Sequence, residues 1–454
     1  MKKYPAYQSS VLPWIKSIPS HWTWMRNGYL FANHCDKVGN EFDEYQLLSL
    51  TTTGVKKKSI DDVKGKVPES YENYQKVFPG DMVFCLFDLD CSAVFSGLSD
   101  YHGMITSAYD VAKPNEDVSN PRFLKYFFDA VFSGRYYKIY SKSVRYTINY
   151  DSFKTLKSPI PPKEEQVQIV KYLDWKVSEI NRFINEKRRQ IKKLEELKFA
   201  RIDSLITQGL NTSIGTKDSG VEWLGYIPAH WDVDHIKQHF IVKKRIAGRE
   251  GYDVLSITQQ GLKVKDISTN EGQMAADYSG YQFVYPGDFA MNHMDLITGY
   301  VDLSDKFGVT SPDYRVFSLT DEDNCYAPFF LRVFQIGYKR RIFYKFGKGA
   351  ANQGRWRLPK TAFYDYPIQI PPKEEQIDIE NACVEIEKRI DDMISGIRNE
   401  ISYVEELRIK LISDAVTGQI DVRGIVIPEY EIQTDDSYDN GMDDEDNFSD
   451  DMTE

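Results

Sequence analysis

Between Asp129 and Asp151 the chain carries no carboxylate, while Arg135, Lys138, Lys142 and Arg145 alternate with Tyr136, Tyr137, Tyr140 and Tyr146. A second acid-free stretch runs between Asp323 and Asp365 and holds Arg332, Lys339, Arg340, Arg341, Lys345, Lys348, Arg355, Arg357 and Lys360, with Tyr338, Tyr344 and Trp356. Phosphate oxygens demand cations without competing carboxylates, and an Arg fork also reads guanine edges through two hydrogen bonds. Asn352 and Gln353, within GAANQGRWR, have the amide geometry that pairs with adenine. A solvated basic face produces the same composition, so the windows gain weight from what surrounds them. The candidate nucleic-acid contacts are Arg135, Lys138, Lys142, Arg145 and Tyr146 in the first window. In the second they are Arg340, Arg341, Lys345, Lys348, Asn352, Gln353, Arg355, Trp356 and Arg357. Smaller basic clusters, Lys56 to Lys58 and Lys243 to Arg245, could touch a nucleic-acid backbone.

Other chemistries lack their motifs. There is no GxxxxGK[ST], no GxGxxG behind a strand, no HExxH and no [DNS]PP[YF] tetrapeptide. His235 and His239 stand four apart without a following Glu, and read as surface histidines rather than metal ligands. Five scattered cysteines form no CxxC pair, which argues against a zinc site or disulfide framework and for a reducing compartment. With no signal-like apolar run and no stretch near the roughly 20 residues that span a bilayer, a soluble, cytoplasmic protein is expected.

The net charge of −11 looks unsuited to binding an anion, but 12 acidic and no basic residues lie between Glu429 and Glu454. Without them the balance is +1. The expectation is a disordered acidic tail over 425–454 behind a near-neutral body.

What must position the two windows is a unit written twice. SSVLPWIKSIPSHWTW from Ser9 is answered by SGVEWLGYIPAHWDV from Ser219, and YQLLSLTTTG from Tyr45 by YDVLSITQQG from Tyr252. VFPGDMVF from Val77 is answered by VYPGDFAM from Val284, and SPIPPKEEQVQI by YPIQIPPKEEQIDI. Four matches in one order establish an internal duplication. The His21-Trp22 and His230-Trp231 pairs read as packing residues, and the Pro-Gly-Asp turns at Asp81 and Asp288 as structural turns between strands.

Each copy opens with a segment rich in β-branched and aromatic residues, a strand-rich globular domain over 1–160 and again over 211–370. Each then turns helical over 161–210 and 371–424, behind Pro161-Pro162 and Pro371-Pro372. Val170, Leu173, Val177, Ile180, Ile184, Ile191 and Leu194 follow 3/4 spacing, as do Ile390, Ile394, Ile397, Ile401, Val404 and Leu411. The registers coincide, and Lys198 and Arg408 interrupt both seams at one place. The reading is an α+β protein in which the two long helices pair as a coiled coil between two globular domains related by a pseudo-twofold.

On the twin W(I/L)xxIPxHW, PGD and PIxxPPxxEQ motifs and the helix ends LITQGLN and AVTGQID, residues 1–424 resemble the specificity subunits of type I restriction-modification systems. The resemblance implies two target-recognition domains, each reading half of a split site in double-stranded DNA, and helices that pair antiparallel to fix the gap. It implies docking of two adenine-methyltransferase subunits along the helices, joined by restriction/translocase subunits. No catalytic residue, metal or cofactor is expected in this chain, since S-adenosylmethionine, ATP and magnesium would sit on the partners. Two readers on a spacer suit major-groove faces about one helical turn, roughly 34 Å, apart.

Overall fold

The computed structural model describes residues 2–59, 70–92, 94–141, 146–211, 213–266, 275, 277–349 and 356–434. It divides into two units, one formed by 1–190 with 396–454 and the other by 191–395. Unit 2 is one continuous piece of chain and unit 1 is two, because both long helices are shared between them.

Unit 1 is built on a four-stranded antiparallel sheet. Its strands are β1 (Phe31–Asn33), β2 (Met82–Phe84), β3 (Ser96–Leu98) and β4 (Asp110–Pro114), and their order in space is β1-β4-β2-β3. Strands this short cannot carry a fold alone. Helix α1 (Pro121–Ser133) covers the sheet with Phe123, Leu124, Phe127, Phe128 and Val131, and the core is dense in aromatic edge-to-face pairs such as Phe84 with Phe128. A two-stranded hairpin, Leu48–Thr51 with Gly54–Lys57, extends from it.

Unit 2 repeats this arrangement. Strands β5 (Phe240–Lys243), β6 (Phe289–Met291), β7 (Val301–Leu303) and β8 (Arg315–Leu319) take the order β5-β8-β6-β7. Helix α3 (Ala327–Lys339) covers them, and the hairpin recurs as Leu255–Thr258 with Gly261–Val264. The repeated motif ending in glycine is therefore a hairpin, and both glycines turn at positive φ.

Helix α2 (Lys163–Gln208) and helix α4 (Lys373–Val416) follow the two proline pairs. At about 1.5 Å per residue each is on the order of 65–70 Å long. In unit 1 the first part of α2 runs antiparallel to the last part of α4, with Lys187 bound to Glu400 at 2.6 Å and Arg188 to Glu405 at 3.6 Å. In unit 2 the last part of α2 meets the first part of α4, where Lys198 binds Asp391 at 2.7 Å. The two cations that interrupt the seams have mirrored roles: Lys198 reaches Asp391, and Arg408 donates to Asn181, the counterpart of Asp391, at 3.0 Å. Of the seam, Val170, Leu173, Ile184, Ile390, Ile394 and Leu411 are buried and Val177, Ile180, Ile397, Ile401 and Val404 half-buried. No helix among the described residues is long and apolar enough to cross a membrane.

The segment behind Gly424, expected as part of a disordered tail, is ordered over its first ten residues. Gln168 donates to the carbonyls of Val422 and Ile425, Ser178 to that of Glu431, Asn181 to that of Gln433 and Asn185 to that of Thr434. Polar side chains spaced along α2 thus satisfy an extended strap that its acidic composition concealed. The remainder of the tail, 435–454, lies outside the described residues.

Candidate nucleic-acid interface and the joints beneath it

In unit 1, the basic window follows α1. Arg135 takes a left-handed backbone (φ 50°) that ends the helix and starts a tight turn over Tyr136–Tyr140. Its guanidinium donates to the Ser92 carbonyl at 2.5 Å and lies over the Phe132 ring. Lys138 lies 4.2 Å over the ring of Tyr146, whose backbone is also left-handed. The structure therefore brings Arg135, Lys138 and Tyr146 to one turn. The other tyrosines work as anchors: Tyr137 is buried, Tyr136 stacks flat on Trp14 at 5.1 Å, and Tyr140 meets Trp14 edge-on. Lys142 and Arg145 lie outside the described residues.

The window of unit 2 is less free of acid than its sequence. Arg332 is held by Glu380 and Glu387 of α4, Arg340 by Asp203 of α2 at 3.4 Å, and Lys345 by Glu222 at 3.1 Å. A stretch without local carboxylates can still receive them from distant segments, which spacing alone does not reveal. Arg341, Lys348 and Arg357 are exposed and have no carboxylate partner among the described residues. Arg341 repeats the left-handed turn of Arg135 (φ 55°). Asn352, Gln353 and Arg355 lie outside the described residues.

Residues 356–358 are fixed from several sides. Lys348 and Arg357 exchange backbone hydrogen bonds at 2.8 and 3.1 Å, and Trp356 stacks on Tyr344 and donates to its carbonyl at 2.7 Å. The Leu358 amide donates to the His293 carbonyl, and Arg315 donates to the Leu358 carbonyl at 2.8 Å from beneath. Arg315 is 5% exposed, and burial lowers its guanidinium to about 10. Burial, with Arg315 and Arg357 nearby, depresses His293 to about 3. Sequence reasoning missed both residues, which stand alone in apolar or polar runs without a motif.

The twin motifs meet at one joint in each unit. In unit 1, Glu165 in the first turn of α2 accepts from His21 at 2.7 Å, from the Trp22 indole at 3.0 Å and from Tyr4 at 2.5 Å. In unit 2, Glu375 accepts from His230 at 2.7 Å and from the Trp231 indole at 3.1 Å. The neighbouring glutamines serve the covering helices: Gln166 accepts from the Asn120 amide ahead of α1, and Gln376 from the Tyr326 amide ahead of α3. The His-Trp pairs and the PPKEEQ segments, read separately as packing and helix starts, are thus two sides of one contact. The Pro-Gly-Asp turns are structural here: Asp81 accepts from the Phe78 amide and His34, and Asp288 from the Tyr285 amide and Arg245.

Each joint also receives the end of the other copy's helix. In unit 2, Gly209 closes α2 at positive φ against Trp231 and Pro228. In unit 1, Gly418 closes α4 in the same way against Pro19 and Trp22.

Residues 98–193 match the family model described as the type I restriction modification DNA specificity domain. The chain is 24% identical over 428 residues to the putative type I restriction enzyme MjaX specificity subunit of Methanocaldococcus jannaschii, an alignment covering 88% of this chain and 91% of that one. It is also 24% identical over 290 residues to the MjaVIII specificity subunit of the same organism, across 60% and 64% of the two chains. In fold it is similar to a chain solved in work on complex assembly and conformational transition of the type I R-M system. That similarity has a TM-score of 0.51 at 12% identity, across 89% of this chain and 99% of that one.

Proposed function

The chain is a specificity subunit of the type I restriction-modification class, and from that premise we propose that its two units read the two unlike halves of one split DNA target. The observation that carries this reading is the pairing of equal architecture with unequal surface. Sheet order, covering helix, hairpin and Glu–Trp joint recur, while the cations after the covering helix differ in number and partners. Equal scaffolds present their loops alike, and unlike side chains on those loops recognise unlike bases.

In this reading the half-buried Lys138 and the exposed Arg341, Lys348 and Arg357 neutralise phosphate or meet base edges, and α2 with α4 sets the gap between the half-sites. The chain makes and breaks no bond in DNA. Two methyltransferase subunits dock along the helices and supply S-adenosylmethionine, and restriction/translocase subunits supply ATP and magnesium. Methylation mapping of genomic DNA with and without this chain tests the assignment. A split adenine-methylated motif should vanish on its removal, and an unchanged methylation pattern would refute the proposal.

The residue assignment has its own test. In the assembled methyltransferase complex, Arg357→Ala at a phosphate contact lowers affinity for all targets and reduces the salt slope by about 1. At a base contact it costs about 1–3 kcal/mol and relaxes one position. Unaltered binding by both Arg357→Ala and Lys138→Ala would remove these turns from the reading surface.

A further inference from the structure

His239, expected at the surface, is buried at the end of the short helical turn that leads into β5, and three groups converge on its ring. Nδ1 lies 3.0 Å from Asp321 Oδ2 and 3.6 Å from Cys325 Sγ, and Nε2 lies 3.1 Å from Asp234 Oδ2. Donor atoms of His239, Asp321 and Cys325 all lie within 4.8 Å of one another.

We propose that His239 Nδ1, Asp321 and Cys325 form a three-ligand site for a zinc-class divalent ion, with Asp234 orienting the histidine.

Four observations support it. A tetrahedral ion with bonds of about 2.3 Å to sulfur and about 2.05 Å to nitrogen places those two atoms about 3.6 Å apart, the separation found here. Imidazole, thiolate and carboxylate together suit zinc over the harder magnesium or calcium. The contact at Nε2 has the form in which a ligating histidine donates its other N–H to a carboxylate, leaving the opposite nitrogen's lone pair for the metal. Without a cation, that same tautomer would set the Nδ1 lone pair against the Asp321 carboxylate.

The fourth observation is the other copy. Thr320 donates its amide to the His239 carbonyl as Asn115 does to that of Leu30, so Leu30 occupies the histidine's place in unit 1. Likewise Ser119 precedes the residue capped by Gln166 as Cys325 precedes the one capped by Gln376. Leu30 is fully buried in the apolar core. The fold therefore does not need a histidine here, and among the described residues only unit 2 has the ligand set. The ion would tie the turn before β5 to the loop that starts α3. On coordination the Cys325 thiol loses its proton to solvent and the sulfur bonds to the metal.

The alternative is an imidazolium held between Asp234 and Asp321, with Cys325 a bystander. Titrating the metal-stripped full chain with cobalt(II) separates the two. One equivalent should bind with tetrahedral visible bands and a near-ultraviolet thiolate-to-cobalt band, and zinc should displace it. Cys325→Ser, which installs the residue found in unit 1, should abolish the thiolate band while circular dichroism stays native. Asp234→Asn should weaken binding roughly 10–100-fold. Replacing the exposed Cys35 and Cys91 with Ser should leave the spectrum intact. Absence of a thiolate band in the parent chain, or its survival in Cys325→Ser, overturns the proposal.

Discussion

A half-buried histidine beside two arginines is held neutral by its surroundings, and His293 shows what that costs at low pH. Burial is the first cause and Arg315 and Arg357 add to it, so the folded value of about 3 lies below the 6.5 of a free histidine. The unfolded chain takes up a proton below about pH 6.5 and the folded one does not, so stability falls as pH drops from 6.5 towards 3. The loss is at most about 1.4 kcal/mol per pH unit from this group. His293→Asn should flatten the acid side of the unit 2 melting transition between pH 7 and 5. Parallel slopes in parent and variant would show that other groups set the acid limb. At this scale the sequence displayed the cations but not their fates. Arg340 and Lys345 find Asp203 and Glu222 across more than a hundred residues of chain, and Arg135 spends its guanidinium on a carbonyl.

The ends of the long helices place comparable demands on two glycines, though not equal ones. Gly418 has φ +71°, and a Cβ built there would lie 2.3 Å from Pro19 Cδ, a ring atom with little freedom to move. Gly209 has φ +74°, but its nearest neighbours are 3.0 Å away, at the Glu375 carboxylate and the Trp231 ring. Both substitutions to alanine incur the left-handed penalty of about 1–2 kcal/mol, and only Gly418→Ala adds a severe clash. Thermal denaturation should therefore find Gly418→Ala the more damaging of the two, and in unit 1; equal losses would mean that the Pro19 contact relaxes freely. The helices were legible because a 3/4 apolar spacing over more than 20 residues sits inside a proline-free stretch of more than 40 in each. The sheets were not, since strands of three to five residues hold too few alternations to fix their pairing. Repetition marked the TTTG and TQQG segments as equivalent, and only the structure makes each of them a hairpin. The strap over 425–434 escaped because it is held through its own backbone carbonyls, which accept from Ser178, Asn181 and Asn185 and to which composition is blind.

For the molecule as a whole, the functional claim on α2 and α4 is that their length sets a distance along DNA. Deleting 186–192 from α2 and 397–403 from α4 removes one heptad from each at places facing one another, as judged by the Lys187–Glu400 pair. A whole heptad keeps the apolar seam in register, and drift from the ideal helix is only about 20°. Each helix shortens by about 10 Å, which is roughly three base pairs at 3.4 Å each. The cores of the units keep Val170, Leu173, Leu411 and Ile202, Ile206, Ile379, all outside the deleted segments, so both units should still fold. Methylation mapping of the shortened protein should return the same two half-sites with a smaller gap. Loss of all binding, with both units folded, would mean that the shortened spacing fits no face of the duplex, which a scan over gap lengths would detect by rescue. An unchanged gap would show that something other than these helices sets the distance, and the duplicated unit would then need a different reason for its long paired helices.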